Sequence, residues 1–466
     1  MQLDSSIFRE YDIRGIFGQN LNESCVRQIG LELGALMAKS CAKVALGYDA
    51  RIHSPILFEW LKSGLENFVE VYDLGLIPTP VAYFATFNAI EGVQIPHSIM
   101  ITGSHNPPEY NGFKITLNQK PFYGQAIQEL KVKMLDNPTP YNPKPTTAHK
   151  LKAKQAYHSY LIHAFSHLKD FSYKIALDFG NGVGALGLEP VLRALNINFD
   201  SLYPNPDGTF PNHHPDPSEA KNLQDLQKHM QTHNIPIGIA FDGDADRVAL
   251  LTQNHIYAGD ELAILFAQNL AREGIKPLVI GEVKCSQVMY DTINQLGQAL
   301  MYKTGHSNLK VKLKEINAHF AAEMSGHLFF NDRYFGYDDA LYAALRILEL
   351  FLHSTPTELE GVINALPYSY KTPEEKIHVL EEEKFTLIEQ LKDVLKGQLP
   401  SNFPPIVEVI DIDGVRVVFE HGFALVRASN TTPTLVTRFE GKDEACAQKY
   451  KQAVLSLLQH RDSHQL

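Results

Sequence analysis

Four polar clusters, each set just after an apolar run, gather hydroxyl, carboxylate, imidazole and guanidinium groups at close spacing. The first is Ile99-Met-Ile-Thr-Gly-Ser-His-Asn-Pro-Pro, where Gly103 permits a tight bend and Ser104 stands beside His105. A hydroxyl next to an imidazole suits an activated nucleophile or a phosphate carrier. The plain alternative is a Ser/Asn-rich turn that satisfies backbone groups, and the segment alone does not choose. The second cluster follows Ile237-Gly-Ile-Ala-Phe and sets Asp242, Asp244 and Asp246 two apart. Carboxylates so close repel one another unless a cation lies between them, and an all-oxygen shell suits Mg²⁺. An EF-hand loop is excluded, because its sixth position would be Arg247 rather than Gly and its twelfth Gln253 rather than Glu. The third cluster, Ala322-Glu-Met-Ser-Gly-His, offers Glu323 and Ser325 to sugar hydroxyls and His327 as a proton shuttle, although a lone Glu–His pair is often structural. The fourth, Arg427-Ala-Ser-Asn-Thr-Thr-Pro, groups a guanidinium, hydroxyls, an amide and backbone N–H groups into a phosphate cradle, or into a simple capping turn. Together the four supply a nucleophile, a metal site, a polyol grip and a phosphate grip, which is what a phosphosugar phosphotransferase requires.

The elements around these clusters alternate between apolar strand-like runs and amphipathic helical stretches, as in βαβ units with parallel or mixed sheets. Lys43–Tyr48 reads as a strand, Ile56–Phe68 as a helix and Phe68–Leu74 as a strand; Lys174–Asp178 and Pro277–Gly281 each lead into a further helix. Ligands collect at the carboxyl ends of such strands, so the placement predicts one shared cleft. The Pro/Thr-rich stretch 137–147 reads as a linker. Glu374–Lys396 reads as a charged helix, and the last unit, from Val407 to Phe439, reads as hairpin-linked strands turning at Glu420-His-Gly. These shifts put boundaries near 148, 252 and 368.

At 466 residues the chain is too long for one ordinary core. A net charge of −11 argues against a nucleic-acid binder. The four cysteines form no CxxC pair, which predicts a reduced, cytoplasmic protein without structural zinc. No secretory signal is read at the start and no membrane span along the chain. The oligomeric state is not readable, and a monomer is compatible with the sequence.

TGSHNP, DGDADR, EMSGH and RASNTTP, in this order and spacing, resemble the α-D-phosphohexomutase family, most closely its bacterial phosphomannomutase/phosphoglucomutase members. Tyr11-Asp-Ile-Arg-Gly, Asn111-Gly-Phe-Lys, Phe210-Pro-Asn-His-His-Pro-Asp-Pro, Val283-Lys-Cys, Lys303-Thr-Gly-His and Phe335-Gly-Tyr-Asp-Asp fit as well, so the likeness covers essentially the whole chain. The resemblance implies an α/β protein of four domains around a central cleft: three related α/β domains with mixed sheets (1–148, 149–252, 253–368) and a C-terminal α+β domain (369–466). It implies that Ser104 is a phosphoserine and that, with Asp242, Asp244 and Asp246, it holds one Mg²⁺. It further implies that Glu323 and Ser325 read sugar hydroxyls, and that Arg427, Ser429, Asn430, Thr431 and Thr432 hold the non-reacting phosphate. Tyr11, Arg14, Lys114, Arg247, Lys284, His306 and His327 map to cleft positions, with Lys114 and His327 as proton-transfer candidates and Arg247 as a charge stabiliser. The implied reaction converts hexose 6-phosphate and hexose 1-phosphate, of mannose, glucose or both, through a hexose 1,6-bisphosphate intermediate that also serves as activator. Ala322 stands where Gly is usual and Glu282 where Asp is common; His213, His214 and Asp216 read as a loop feature rather than a second metal site.

Two other functions compete. A haloacid-dehalogenase-type phosphatase would use Asp244-Ala-Asp-Arg-Val and the Asp338-Asp339 pair, but would leave the Ser104 and Arg427 loops without a task. A non-catalytic sugar-phosphate sensor predicts an eroded catalytic set, whereas Ser104 and all three aspartates are present.

Overall fold

The computed structural model describes residues 3–142, 148–429 and 432–459. Four sheets follow one another along the chain. In the first, Lys43–Tyr48 lies between Ser98–Ile101 and Glu70–Leu76, both parallel to it, and Tyr110–Leu117 adds an antiparallel strand. The buried run Val44–Gly47 explains its central place, since a strand covered on both faces needs apolar side chains on both. The helix expected over 56–68 spans Ser54–Leu65, opened by Pro55 in its first turn. His149–Lys150 pairs with Glu70–Leu76, so the chain returns to this sheet after the Pro-rich stretch, of which 143–147 lie outside the described residues.

The second sheet centres on Ile175–Asp178 and Ile237–Phe241, and the third on Leu278–Glu282 and Phe320–Ala322. Both carry an antiparallel hairpin after a parallel core: Ile237–Phe241 with Val248–Leu251, and Phe320–Ala322 with Leu328–Phe330. These hairpin turns carry the aspartates and the Glu323 loop. The fourth sheet is antiparallel, with Val415–Phe419, Gly422–Ala428 and Thr434–Gly441 at its centre. One expectation fails here. Glu374–Lys396 is not a single helix: Glu375–His378 is a strand paired with Thr434–Gly441, and the helix begins only at Lys384. Edge pairing supplies backbone partners that the charged sequence pattern does not announce.

One continuous core runs through the first three units, from Val81 and Phe84 through Tyr157 and Leu188 to Phe330 and Leu341. Its axis is the helix Ala340–Leu350, every residue of which is buried. The fourth unit has its own core around Val417, Val426 and Phe439. It meets the third through a small cluster of Val283, Phe423 and Leu425. Buried Arg416 also donates there to the carbonyls of Val283 (2.6 Å) and Cys285 (2.7 Å). Such a small apolar seam resists rotation far less than a shared core does. Among the described residues no helix is long and apolar enough to cross a membrane.

Candidate active site

Ser104 sits on the loop between Ser98–Ile101 and Tyr110–Leu117, 3% exposed, with its backbone at φ 49°. That left-handed conformation is uncommon for a residue with a Cβ and needs external support. Support comes from Thr102, whose Oγ1 accepts the Ser104 N–H at 2.8 Å, and from the loop's contacts with Asp49 and Arg51. The Ser104 hydroxyl donates to Asp242 at 2.9 Å and lies 3.2 Å from His105 Nδ1.

Asp242, Asp244 and Asp246 are fully buried in the hairpin turn, where Ala245 takes φ 62°. Asp242 Oδ1 accepts the N–H of Asp246 at 3.0 Å and of Arg247 at 3.2 Å, which fixes the turn. Lys114 reaches across 130 residues to donate to Asp244 at 2.7 Å and also bonds Asp246. Thr79 adds a hydroxyl to Asp244 at 2.6 Å. The three carboxylates lie close enough to hold one cation. Asp244 Oδ1 is buried without a hydrogen-bond partner and Asp246 Oδ1 faces only His327 Nε2, at 3.3 Å, so the donor set has oxygen capacity left for a metal. Burial and the neighbouring Asp246 and Asp244 push Asp242 well above the usual carboxylate range. Asp246 is also buried, yet Lys114 and His327 hold it well below that range. Burial works against the Lys114 charge, but Asp244 and Asp246 prevail and keep it protonated.

His327 joins this group to the Glu323 loop. Its Nε2 lies 3.3 Å from Asp246 and its Nδ1 2.8 Å from Glu323. Burial would lower it, but Asp246 and Glu323 raise it to about 9. Glu323 accepts the Gly305 N–H at 2.7 Å and, despite burial, is drawn down to about 2 chiefly by His327. Ser325 Oγ lies 3.1 Å from His327 Nδ1. Arg247 approaches His327 with Nε at 3.4 Å and Asp216 with Nη1 at 3.9 Å, which brings the 210–217 loop to the site. His213 instead bonds Asp178, in keeping with a loop role.

The remaining expected residues lie around this group. Arg14 donates to Asn106 Oδ1 at 2.6 Å and to the Gly103 carbonyl at 3.3 Å, so it braces the serine loop. Tyr11 donates to the Thr304 carbonyl at 2.8 Å, and its ring meets His306 edge-on. His306, lowered by burial, lies 3.3 Å from Asp338. Lys284 pairs with Glu374 at 3.2 Å and Glu282 at 3.5 Å. Arg427 pairs with Asp413 at 3.0 Å, and the same Asp413 oxygen accepts the Thr304 N–H at 3.0 Å. Thr432 donates through N–H and hydroxyl to Ser429 Oγ. Asn430 and Thr431 lie outside the described residues. A chain of contacts thus runs from Ser104 through Asp242, Asp246, His327, Glu323, Gly305, Thr304 and Asp413 to Arg427.

Sequence reading missed Asp49, Arg51, Thr79 and Asp413, and named Asp338 only within Phe335-Gly-Tyr-Asp-Asp and the competing phosphatase pair, with no role beside His306. Asp49-Ala-Arg51 follows the apolar run KVALGY and Asp413 precedes Gly414, a polar-after-strand signal like that of the four clusters. Thr79 carried no such signal.

Family models for phosphoglucomutase/phosphomannomutase match all four units: alpha/beta/alpha domain I over 5–137, domain II over 155–255, domain III over 258–370 and the C-terminal domain over 374–457. The chain belongs to this family. The phosphoglucomutase of Neisseria meningitidis serogroup A is 40% identical over 449 residues, 95% of this chain and 94% of that one. The phosphomannomutase/phosphoglucomutase of Pseudomonas aeruginosa is 38% identical over 466 residues, 99% and 97% of the two chains. A crystal structure of a phosphoglucomutase/phosphomannomutase family protein from Burkholderia thailandensis superposes with TM-score 0.88 at 34% identity, covering 99% of each chain. The phosphohexomutase architecture of mixed sheets and helices is therefore that of this chain.

Proposed function

We infer that this chain is a phosphohexomutase that interconverts hexose 6-phosphate and hexose 1-phosphate, with Ser104 carrying the transferred phosphate. The observation that carries the assignment to Ser104 is its hydroxyl, 2.9 Å from Asp242 in a buried carboxylate triad whose Asp244 Oδ1 has no hydrogen-bond partner. Asp242, Asp244 and Asp246, with a phosphoryl oxygen on Ser104, would hold one Mg²⁺, which when bound neutralises phosphoryl charge. Lys114 and Arg247 add fixed positive charge where charge spreads during transfer. As the phosphate leaves Ser104 its Oγ gains a proton and the reacting sugar hydroxyl loses one; protonated His327, held between Asp246 and Glu323, and protonated Lys114 are the groups placed to deliver the first and take up the second in its stead. Glu323 and Ser325 orient the sugar. Arg427, Ser429 and Thr432, with Asn430 and Thr431, grip the phosphate at rest. Tyr11, Arg14, Lys284 and His306 line the path between.

Phosphoserine 104 donates to the free hydroxyl and gives a hexose 1,6-bisphosphate, which turns over in the cleft and returns its other phosphate to Ser104. The Glu323-Met324-Ser325 triplet resembles that of dual mannose/glucose mutases, which supports phosphates of both sugars as substrates. The four-unit division near 148, 252 and 368 belongs to the same proposal. One sheet per unit supports it, and the late strands His149–Lys150 and Ile256–Tyr257 favour slightly later boundaries. A cytoplasmic setting is supported by the four free cysteines.

Phosphosite mapping with a coupled assay of glucose 1-phosphate turnover tests the reading. Acid-stable phosphate on Ser104 and loss of turnover in Ser104→Ala are expected. A labile acyl phosphate on Asp244, or near-normal turnover by Ser104→Ala, overturns it.

A further inference from the structure

The loop that presents Ser104 is held from two sides by residues with no part in binding sugar, metal or phosphate in the reading above. On one side lies the Arg51 guanidinium, with no side-chain exposure. Its Nη1 donates to the carbonyls of Pro107 (2.6 Å) and Tyr110 (3.0 Å), and its Nη2 to those of Ser104 (2.8 Å) and Asn106 (2.6 Å). Four carbonyls of one loop converge on one planar fork. The fork packs so closely on the loop that a Cβ at position 103 would run into it, so Gly103 is required by contact as well as by bend. Phe210, from the second unit, covers the guanidinium with its ring centroid 5.2 Å away.

On the other side lies Asp49, 2% exposed and 3.2 Å from Arg51 Nε. It accepts the Thr102 hydroxyl at 2.9 Å and the Gly103 N–H at 3.2 Å, and Thr102 Oγ1 in turn accepts the Ser104 N–H. Its second oxygen is occupied by the Ser54 hydroxyl (2.6 Å) and the Arg51 N–H (3.0 Å), which fix the carboxylate itself. Asp49 therefore gathers the loop's donors and Arg51 its acceptors. A left-handed backbone at a residue with a Cβ persists only where surroundings over-determine it, and Ser104 at φ 49° is held in that way.

We propose that Asp49 and Arg51 are positioning residues for phosphoryl transfer: they fix the backbone of 102–110 so that Ser104 Oγ meets the metal triad in line. The inference rests on the reading of Ser104 as phosphate carrier and adds what aims it. It separates aim from affinity, since the fork touches the loop that bears the phosphoserine and not the loops assigned to grip the sugar and the resting phosphate. Lysine cannot replace the fork, because one ammonium is a point charge without the planar pair of forked donors.

The test uses the full chain, loaded with glucose 1,6-bisphosphate at saturating Mg²⁺ and assayed well below its melting temperature. In Arg51→Lys, kcat should fall about 100-fold while KM for glucose 1-phosphate stays within about threefold, because a displacement of about 1 Å spoils alignment but leaves remote binding intact. The ³¹P resonance of the phosphoserine, a single sharp line in the wild type, should broaden or split. Thr102→Val keeps the side-chain shape and deletes only the link from Asp49 to the Ser104 N–H. It should show the same split between kcat and KM to a smaller degree, and it decides the matter if Arg51→Lys does not fold. Turnover of either folded variant at the wild-type rate overturns the proposal, as does a raised KM with kcat intact. A wild-type protein without phosphate on Ser104 would instead sink the carrier reading, so the two failures are distinguishable.

Discussion

Replacing Lys114 by Met should destabilise the metal-free protein and at the same time make it more responsive to Mg²⁺. Lys114 is 5% exposed, and its ammonium lies between two fully buried carboxylates, 2.7 Å from Asp244 and in contact with Asp246. Each attraction is about 6–7 kcal/mol at an effective dielectric of 20, but desolvation of all three groups offsets most of it. Breaking such a pair costs about 3–5 kcal/mol, because the carboxylates remain buried without their countercharge. Methionine keeps the length of the side chain and adds no polar atom, so the loss reports on charge. In the wild type Mg²⁺ must compete with the ammonium for Asp244 and Asp246, and in the variant that competitor is gone. Thermal melting in EDTA and along a Mg²⁺ titration reads both effects. Lys114→Met should melt well below the wild type in EDTA, and the gap should narrow as Mg²⁺ is added. Turnover should stay depressed by about 100-fold or more even at saturating metal, because the proposed proton-transfer group is gone. Equal melting in EDTA, or a gap that Mg²⁺ leaves unchanged, would refute the reasoning.

Asp413→Asn should free Arg427 for anions: inorganic phosphate should inhibit about fivefold more tightly, the equivalent of about 1 kcal/mol, and weaker inhibition would count against Asp413 as a stand-in anion. Tyr157→Phe removes a hydroxyl that donates to both oxygens of Asp339 at 2.9 Å, so stability should drop by about 1–3 kcal/mol. Melting should show this with KM unchanged, and a large KM effect would contradict a purely structural role. Burial pushes Asp339 from 3.8 up to about 6, against the Tyr342 N–H and the Tyr334 and Tyr157 hydroxyls that donate to it. The folded chain then holds this proton over a pH range where the unfolded chain has lost it, so Asp339 withdraws stability as pH rises from about 4 to about 6, by roughly 3 kcal/mol. Asn cannot titrate there, and the stability of Asp339→Asn relative to wild type should improve across that window; a pH-independent difference would refute the assignment.

Much of the candidate site was legible because its parts are local. An apolar run followed by Asp-Gly-Asp-Ala-Asp specifies a strand and a crowded acidic turn together, and the structure puts all three carboxylates in one buried hairpin. The same holds for the Ser104 loop after Ser98–Ile101 and for Glu323 after Phe320–Ala322. Glu374–Lys396 was misjudged because strand pairing is decided by a partner about sixty residues away, not by local periodicity.

What the sequence alone determined is which groups share a turn: a serine in a Gly-bent loop, three closely spaced carboxylates, a Glu, a Ser and a His within five residues, and an Arg- and hydroxyl-rich turn after a strand. Each is a short-range pattern, and residue spacing fixes which groups share a turn. Only the tertiary structure decided how these groups are used. It set Lys114 between Asp244 and Asp246, turned Asp413 onto Arg427, and closed Arg51 and Asp49 around the serine loop. These pairings join segments separated by 14 to 132 residues, through buried ion pairs and carbonyl contacts that exist only once the sheets have packed. Local pattern can specify the turn, but it carries no record of what the packed fold will set against it.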